Sequence, residues 1–212
     1  FAVSAEAKAW QEKGHKIYRG HAISVVDRML EIALKEQWGA VFRVTGDNPF
    51  TDPGLVDEMI TLMVENNLDY VRANNVPFGV SAELFSTAYL WKLYLEMDNP
   101  MHSEYLTLFV LNDQSARKGC IDIESTIENL KYINLSVDYQ GDYDRAHRLA
   151  SDLGDQNLYE VTFQEIISKT DSLDREDANK WIKLPAGEKV RFSDFLDRLA
   201  NQNYIIRKHI SV

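Results

Sequence analysis

Arg43-Val44-Thr45-Gly46-Asp47-Asn48-Pro49-Phe50-Thr51-Asp52-Pro53 is the stretch on which the fold turns. Residues 40–44 form a short, apolar, partly branched run that reads as a buried strand. Gly46-Asp47 breaks that run as a turn. Asp52-Pro53 then opens a helix, with Asp52 as its cap and Pro53 at its first position. The expectation is a strand whose carboxyl end presents Asp47. In open α/β sheets that edge is where ligands and metals bind.

Elements of the same kind lie on both sides. Upstream, residues 1–12 read as a helix in progress, and Lys16 to Arg19 as a short strand. Ser24 can cap a helix carrying Val26, Leu30, Ala33 and Leu34, which Gly39 ends. Downstream, the helix after Pro53 has Val56, Ile60 and Met63 as its inner stripe. Leu68 to Val71 reads as a strand, 74–79 as a turn and 82–85 as extended. Helices are expected over 87–97 and 102–111, and strands over 119–123 and 133–137. Ala146, Leu149, Ala150 and Leu153 mark a helix after Asp142, for which Asp142 is the simplest cap. Alternating strands and helices imply a layered α/β domain. The character changes near residue 158. Domain boundaries are therefore expected at 1–158 for the α/β domain and 159–212 for a helical C-terminal extension. Within the extension, Ser193 caps a last helix with Phe195, Leu196 and Leu199 inside, and the acidic run Asp171 to Asp177 reads as solvated surface.

Composition narrows the function classes. The 212 residues carry a net charge of −10, which argues against nucleic-acid binding, since that needs a basic face. A nucleotide substrate remains open, because a few local cations and a divalent metal can hold phosphates. No window approaches the roughly 20 apolar residues of a membrane span. Cys120 is the single cysteine, so neither a disulfide framework nor a thiolate zinc site can be built, and a reducing cytoplasm is the natural setting. Cys120 reads as a small core residue, and Trp10, Trp38, Trp91 and Trp181 as core or half-buried packing. His15, His21, His102, His147 and His209 have no metal spacing; His102 is notable for its nearness to Glu104.

A second short apolar run ending in aspartate occurs at Leu135-Ser136-Val137-Asp138, with a helix a few residues on. If the two runs are neighbouring parallel strands, Asp47 and Asp138 converge at one sheet edge. Two carboxylates facing a substrate's phosphates suit a hard octahedral cation such as Mg²⁺. Turn chemistry for Asp47 and a cap for Asp142 are the alternatives on spacing alone.

The run RVTGDNPFTDP followed by LVDEMI resembles the cytidylyltransferases that activate acidic sugars, in particular the SpsF-like spore-coat polysaccharide branch near the acylneuraminate enzymes. Tyr18-Arg19-Gly20 with Val25-Val26-Asp27-Arg28 resembles the family's "FRG…VLDR". Asp69-Tyr70-Val71 with Asn74 and Phe78 to Phe85 resembles its "DY…N…PxGxxxEvf". Ser103 to Thr107 resembles "REHVT", and Leu135 to Tyr143 resembles "LSVDTPEDY". The resemblance covers roughly residues 1–153. It implies a three-layer nucleotide-diphospho-sugar transferase-like domain with a mixed, mainly parallel sheet. It also implies CMP transfer from CTP to an acidic sugar of the ulosonic or nonulosonic type, with Mg²⁺ as cofactor, in a homodimer. Asp47 and Asp138 would be the catalytic metal ligands. Gly79, Glu83, Glu104 and Thr107 would lie on the substrate side, and Asp142 would cap or support.

Departures from the family pattern are Ser103 and Tyr105 for its usual Arg and His, and Tyr139-Gln140-Gly141 for Thr-Pro-Glu. Nothing matches the family's opening "QARxxSxRLPGK" loop, which cradles the triphosphate. On this reading Phe1 aligns downstream of the loop, and residues 1–212 alone are expected to be inactive. The alternatives are a non-catalytic dimerisation or sugar-binding remnant, and a GT-A-type glycosyltransferase. Against the latter, Asp47-Asn48-Pro49 supplies no Asp-x-Asp.

Overall fold

The computed structural model of the chain describes residues 5–100, 103, 106–124, 130–154, 161–170, 174–175, 177–184 and 187–210. Helix α1 (Ala5–Glu12) is followed by α2 (Val25–Lys35), β1 (Ala40–Arg43), α3 (Gly54–Asn66), β2 (Tyr70–Asn74), β3 (Glu83–Ser86) and α4 (Thr87–Glu96). Then come α5 (Leu106–Asn112), β4 (Lys118–Glu124), a 3₁₀ turn at Leu130–Tyr132, α6 (Gln140–Leu153) and α7 (Phe163–Ser168). Strands β5 (Trp181–Lys183) and β6 (Lys189–Arg191), helix α8 (Phe192–Ala200) and strand β7 (Tyr204–Ile210) end the described chain.

Five strands form one sheet in the order β1-β3-β2-β4-β7. Strand β3 is antiparallel to both neighbours, while β2–β4 and β4–β7 are parallel. Four strands therefore run one way and β3 the other, so the sheet is mixed and mainly parallel, as expected.

Strand alternation splits the core into two layers, because successive side chains leave opposite faces. Val71, Ala73, Leu84, Ile121 and Ile123 face one way and pack under α3, with Leu149, Leu153, Ile166 and Ile167 of α6 and α7 in the same cluster. Val41, Tyr70 and Phe85 face the other way, against α2, α4 and α5. Helix α2 follows the expected plan except at Leu34: the Ser24 side chain accepts from Asp27 N, and Val26, Leu30 and Ala33 are buried, but Leu34 is 54% exposed and Met29 is buried instead. Full burial of a side chain the size of Val26 or Leu30 contributes about 1.5–3 kcal/mol.

Several expectations are corrected. Residues 15–20 form no strand. Among the described residues strand β1 pairs only with β3, so it stands at an edge of the sheet rather than inside it. The inner stripe of α3 is Leu55, Met59, Leu62 and Met63; of the expected stripe Met63 is buried, Val56 is half-buried and Ile60 is 42% exposed. Residues 133–137 make only isolated bridges, Phe78 to Asn134 and Ile133 to Arg175, and belong to no strand of the sheet. Within the run read as solvated, Asp174 is fully buried, and its carboxylate pairs with Arg148 Nη2 at 2.7 Å. Trp181, read as packed, is 62% exposed.

The C-terminal extension is helical only in part. It contains α7, the β5–β6 hairpin and α8, and its last strand β7 joins the main sheet along the whole of β4. Its β signal was present in Tyr204-Ile205-Ile206 after the turn-forming Asn201-Gln202-Asn203. Arg207 and Lys208 suit the open edge of a sheet, where charge discourages further pairing. Among the described residues, no helix is long and apolar enough to cross a membrane.

Candidate active site

One row of side chains crosses the sheet near the carboxyl end of β1. Arg43 is opposite Glu83, and Glu83 is opposite Arg72, so an Arg-Glu-Arg row spans β1, β3 and β2 on the face that also carries Tyr70. Opposite charges at facing positions support one another across strands. Arg43 Nη1 donates to Glu83 Oε2 at 2.6 Å, and both side chains are largely buried. Tyr70 Oη and Thr107 Oγ1 donate to Glu83 Oε1 at 2.6 and 2.7 Å. Burial first, and then the Glu83 charge, push the Tyr70 phenol well above its usual value, so it stays a proton donor. With both oxygens engaged, Glu83 is held as a rigid anion that fixes Arg43 and Thr107.

The loop after β1 places Asp47. Asn48 N donates to Thr45 O at 3.1 Å, and Asn48 Nδ2 donates to Thr45 Oγ1 at 2.7 Å, closing a tight turn around Gly46 and Asp47. The Asp52 carboxylate accepts from Gly54 N at 2.7 Å at the start of α3, but the N-cap position is Pro53 and the first helical residue Gly54, one residue later than expected. Asp47 Oδ1 is buried, with no hydrogen-bond partner among the described residues. A carboxylate oxygen left in that state costs about 1–3 kcal/mol or more. It is therefore a place where a cation or a donor is wanted.

Asp138 reaches the same place by a different route from the one expected. No strand neighbour brings it there. The 133–137 segment is tied to the turn at Phe78 by Phe78 N to Ile133 O and Leu135 N to Phe78 O, both 2.8 Å. Val137 N then donates to Asp47 O at 2.8 Å, which joins the two loops directly. Gly79 permits this approach: its φ is +93°, and a Cβ there would lie 2.7 Å from Ser136 N and 3.1 Å from Asn48 Oδ1. Burial raises the Asp138 carboxyl above its ordinary value, and the charges of Asp47 and Asp142 add to this, with Lys180 opposing them. Asp142 is not the cap of α6. It occupies the third helical position in a capping box, and its Oδ2 accepts from Asp138 N and Tyr139 N at 3.0 Å each. It thereby holds the backbone of Asp138 in place.

These groups open onto one cavity of about 830 Å³. Asp47, Asp138, Gly79, Glu83 and Thr107 all line it. Glu104 lies outside the described residues, as do His102 and Tyr105. Ser103 is buried and accepts from Val26 N at 3.1 Å, so it serves the start of α2 rather than the cavity. Four lining residues are cationic: Arg28, Arg43, Arg72 and Lys183. Among the described residues the lining also carries the carboxylates of Asp47, Glu83 and Asp138, so cations and carboxylates are nearly balanced there, in a chain of net charge −10.

Sequence reasoning missed Arg72 and Lys183. Arg72 had a signal, since a charge at a period-two position between Tyr70 and Asn74 marks a face with polar work to do. Lys183 had none, because only the folding-back of the C-terminal hairpin brings it to the cavity.

Among the described residues, no group of three or more His, Cys, Asp or Glu side chains is disposed to hold a metal ion. Two carboxylates on one cavity, one with a buried oxygen that has no partner among the described residues, are donors of the type Mg²⁺ takes. That ion binds through one or two carboxylates and takes its other oxygens from water and substrate phosphates.

The class defined by this sheet and cavity is the cytidylyltransferase-like α/β fold. A solved cytidylyltransferase from Leptospira borgpetersenii serovar Hardjo-bovis superposes with a TM-score of 0.69, over 81% of this chain and 74% of that one, at 19% identity. In sequence the chain is similar to the spore coat polysaccharide biosynthesis protein SpsF of Bacillus subtilis, at 26% identity over 159 residues and 74% of this chain. It is also 26% identical over 144 residues to an uncharacterised protein of Methanocaldococcus jannaschii. The matches span 65% and 58% of those relatives, so the chain spans less than two thirds of the curated relatives it matches. No protein-family model matches the chain. The cytidylyltransferase resemblance of its motifs is thus borne out in sequence and in fold.

Proposed function

We propose that the protein is a nucleotidyltransferase that moves CMP from CTP to an acidic sugar, with release of pyrophosphate, in polysaccharide or surface-glycan biosynthesis. The observation that carries this reading is the meeting of Asp47, with its buried oxygen that has no partner among the described residues, and Asp138 in one cavity that Arg28, Arg72 and Lys183 also line. The relatives support the nucleotide and the pathway class.

Asp47 and Asp138 would hold Mg²⁺, which when bound neutralises charge on the phosphate oxygens. Arg28, Arg72 and Lys183 would hold the anionic groups of the two substrates. Asp142 keeps the Asp138 backbone fixed, and Glu83 keeps Thr107 and Arg43 fixed, so the acceptor side is preorganised. The sugar hydroxyl oxygen forms the new bond to the α-phosphorus as the bond from that phosphorus to the bridging β-phosphate oxygen breaks; pyrophosphate leaves with that oxygen, and the hydroxyl proton passes to solvent. By the same resemblance, the protein acts in the cytoplasm as a homodimer. A single monomeric boundary in sedimentation velocity would remove the dimer from the proposal.

The test uses the protein in its natural full length, with CTP, Mg²⁺ and a nonulosonic acid, and follows pyrophosphate. Loss of groups that only orient a metal ligand costs 10–100-fold, so Asp47→Asn is expected to cost on the order of 100-fold or more in kcat/KM. Wild-type turnover in that variant refutes the assignment of Asp47.

A further inference from the structure

Arg72 lines the cavity, and a residue of the last strand reaches it from beneath. Within its own strand, Arg72 Nε donates to Ala73 O at 3.2 Å. Glu83 stands opposite Arg72 on β3, and Cys120 stands beside it on β4. Tyr70 is paired with Lys118, and the β4–β7 register places Tyr204 beside that same lysine. Tyr70, Arg72, Cys120 and Tyr204 therefore leave the same face of the sheet. Two strand spacings, about 10 Å, separate β2 from β7. Cys120 is the small buried side chain between them, and an arginine and a tyrosine are long enough to meet across it.

The two do meet. The Tyr204 side chain is hydrogen-bonded to Arg72. Tyr204 Oη also donates to Leu199 O at 2.9 Å. Leu199 lies in the last turn of α8, where carbonyls have no partner within the helix, and its side chain lines the cavity. Burial pushes the Tyr204 phenol up to about 12, against the pull of the Arg72 charge. The hydroxyl therefore keeps the proton it gives to Leu199 while its oxygen accepts from the guanidinium. Strand β7 is itself fixed. It pairs with β4 over all seven of its residues, and on the other face Arg207 pairs with Glu65 and His209 Nδ1 lies 2.6 Å from Glu58 Oε1.

Glu83 makes this anchor consequential. A guanidinium facing a carboxylate closes on it as a fork, and its charge is then neutralised within the protein. Two things oppose that here. Arg43, Tyr70 and Thr107 already donate to the Glu83 oxygens, and Tyr204 offers Arg72 a neutral acceptor on the other side. We infer that Tyr204 is a positioning residue: its hydroxyl, fixed by the Leu199 carbonyl, holds the Arg72 guanidinium where it meets an anionic group in the cavity. Among the described lining residues none belongs to β7, so the last strand tunes this site without touching its ligand. The inference rests on the reading of Arg72 as a holder of a substrate's anionic group.

The probe is inorganic pyrophosphate, titrated by calorimetry into the full-length protein in excess Mg²⁺, so that no turnover is needed. Arg72→Met is expected to weaken binding about 30-fold or more, the range for truncating one partner of a buried charge pair. Tyr204→Phe keeps the ring and its packing, and is expected to weaken binding about 5-fold or more. Because residues in contact are coupled, the same change made in the Arg72→Met background should alter affinity by less than about 2-fold. Gln202→Leu is the structural control. It cuts the 3.0 Å hydrogen bond from Lys118 Nζ, which ties the same corner of β4 to the start of β7 without involving Arg72, and should leave affinity as in wild type. Wild-type affinity in Tyr204→Phe, or an equal loss in both backgrounds, overturns the positioning role. A loss in Gln202→Leu as large as in Tyr204→Phe also overturns it, since general loosening then suffices. Wild-type affinity in Arg72→Met, or no binding to wild type, removes instead the reading of Arg72, and the inference with it.

Discussion

Replacing Gly79 by alanine should damage both the stability of the fold and the meeting of the two aspartates. At φ +93° an L-residue is strained wherever the side chain points, at a cost of roughly 1–2 kcal/mol. The new Cβ would also lie 2.7 Å from Ser136 N and 2.9 Å from the Leu135 carbonyl carbon. Those are backbone atoms of a segment held by two 2.8 Å hydrogen bonds to Phe78, so they cannot swing aside as a side chain would. Overpacking of this kind adds about 1–3 kcal/mol. The total is about 2–5 kcal/mol, and at about 2–4 °C per kcal/mol for a chain of this size, a melting temperature lower by roughly 4–20 °C is expected.

The displaced atoms also have functional neighbours. Asn48 follows Asp47, and Ser136 stands two residues before Asp138, so the thermal stabilisation conferred by added Mg²⁺ should shrink as well. Gly141→Ala is the matched control. Beyond its chain neighbours and its own helix backbone no described atom lies within 4 Å of its Cβ position, and in helix α6 alanine is favoured over glycine by up to about 1 kcal/mol. Thermal denaturation of both variants, with and without Mg²⁺, reads the result. If Gly79→Ala melts within about 2 °C of wild type, the close approach of the 77–79 turn to the 134–136 segment is not what holds the site together.

Three further outcomes are expected. The Asp138 carboxyl is raised above its ordinary 3.8 by burial and by its acidic neighbours. The native state therefore holds this proton more tightly than the unfolded chain, and the stability it contributes is present below that value and lost as pH rises through the native one. Without divalent cation, Asp138→Asn should raise the urea midpoint at about pH 7, and the gain should fade toward about pH 4; an equal gain at both pH values would contradict the assignment. Arg148→Met leaves the fully buried Asp174 without its 2.7 Å guanidinium partner and should cost about 1.5–3 kcal/mol in chemical denaturation; a smaller loss would mean that other groups hold Asp174. Burial pushes the Cys120 thiol up to about 12, so it should resist a thiol reagent in the native protein and react fully once unfolded; rapid native labelling would show that β4 opens readily.

Much of the sheet was legible because its signals are local. The β1 run, the Gly-Asp turn and the Asp-Pro entry to α3 are dictated by side-chain branching and backbone preferences within a dozen residues. Ser24 as the cap of α2 and the apolar run of β4 are of the same kind. What was misread depended on distant contacts. Residues 133–137 have the composition of a strand, but their partners are the Phe78 turn and the Asp47 loop, so they form bridges rather than a ladder. Asp174 looked solvated among charged neighbours, because nothing local announces that Arg148, in α6, will pair with it.

The sequence by itself determined that Asp47 stands just beyond a strand and that Asp138 stands just before a helix, since turn and cap chemistry act over a few residues. It also determined, through the order of its motifs, which family the chain resembles. Only the tertiary structure decided that the two aspartates share a cavity. It likewise decided that Arg72 and Glu83 lie beneath them in one cross-strand row, and that the C-terminal hairpin and α8 close the far side. Those placements are set by strand order, by register and by the close packing that a glycine at position 79 allows, and these arise between segments far apart in the chain.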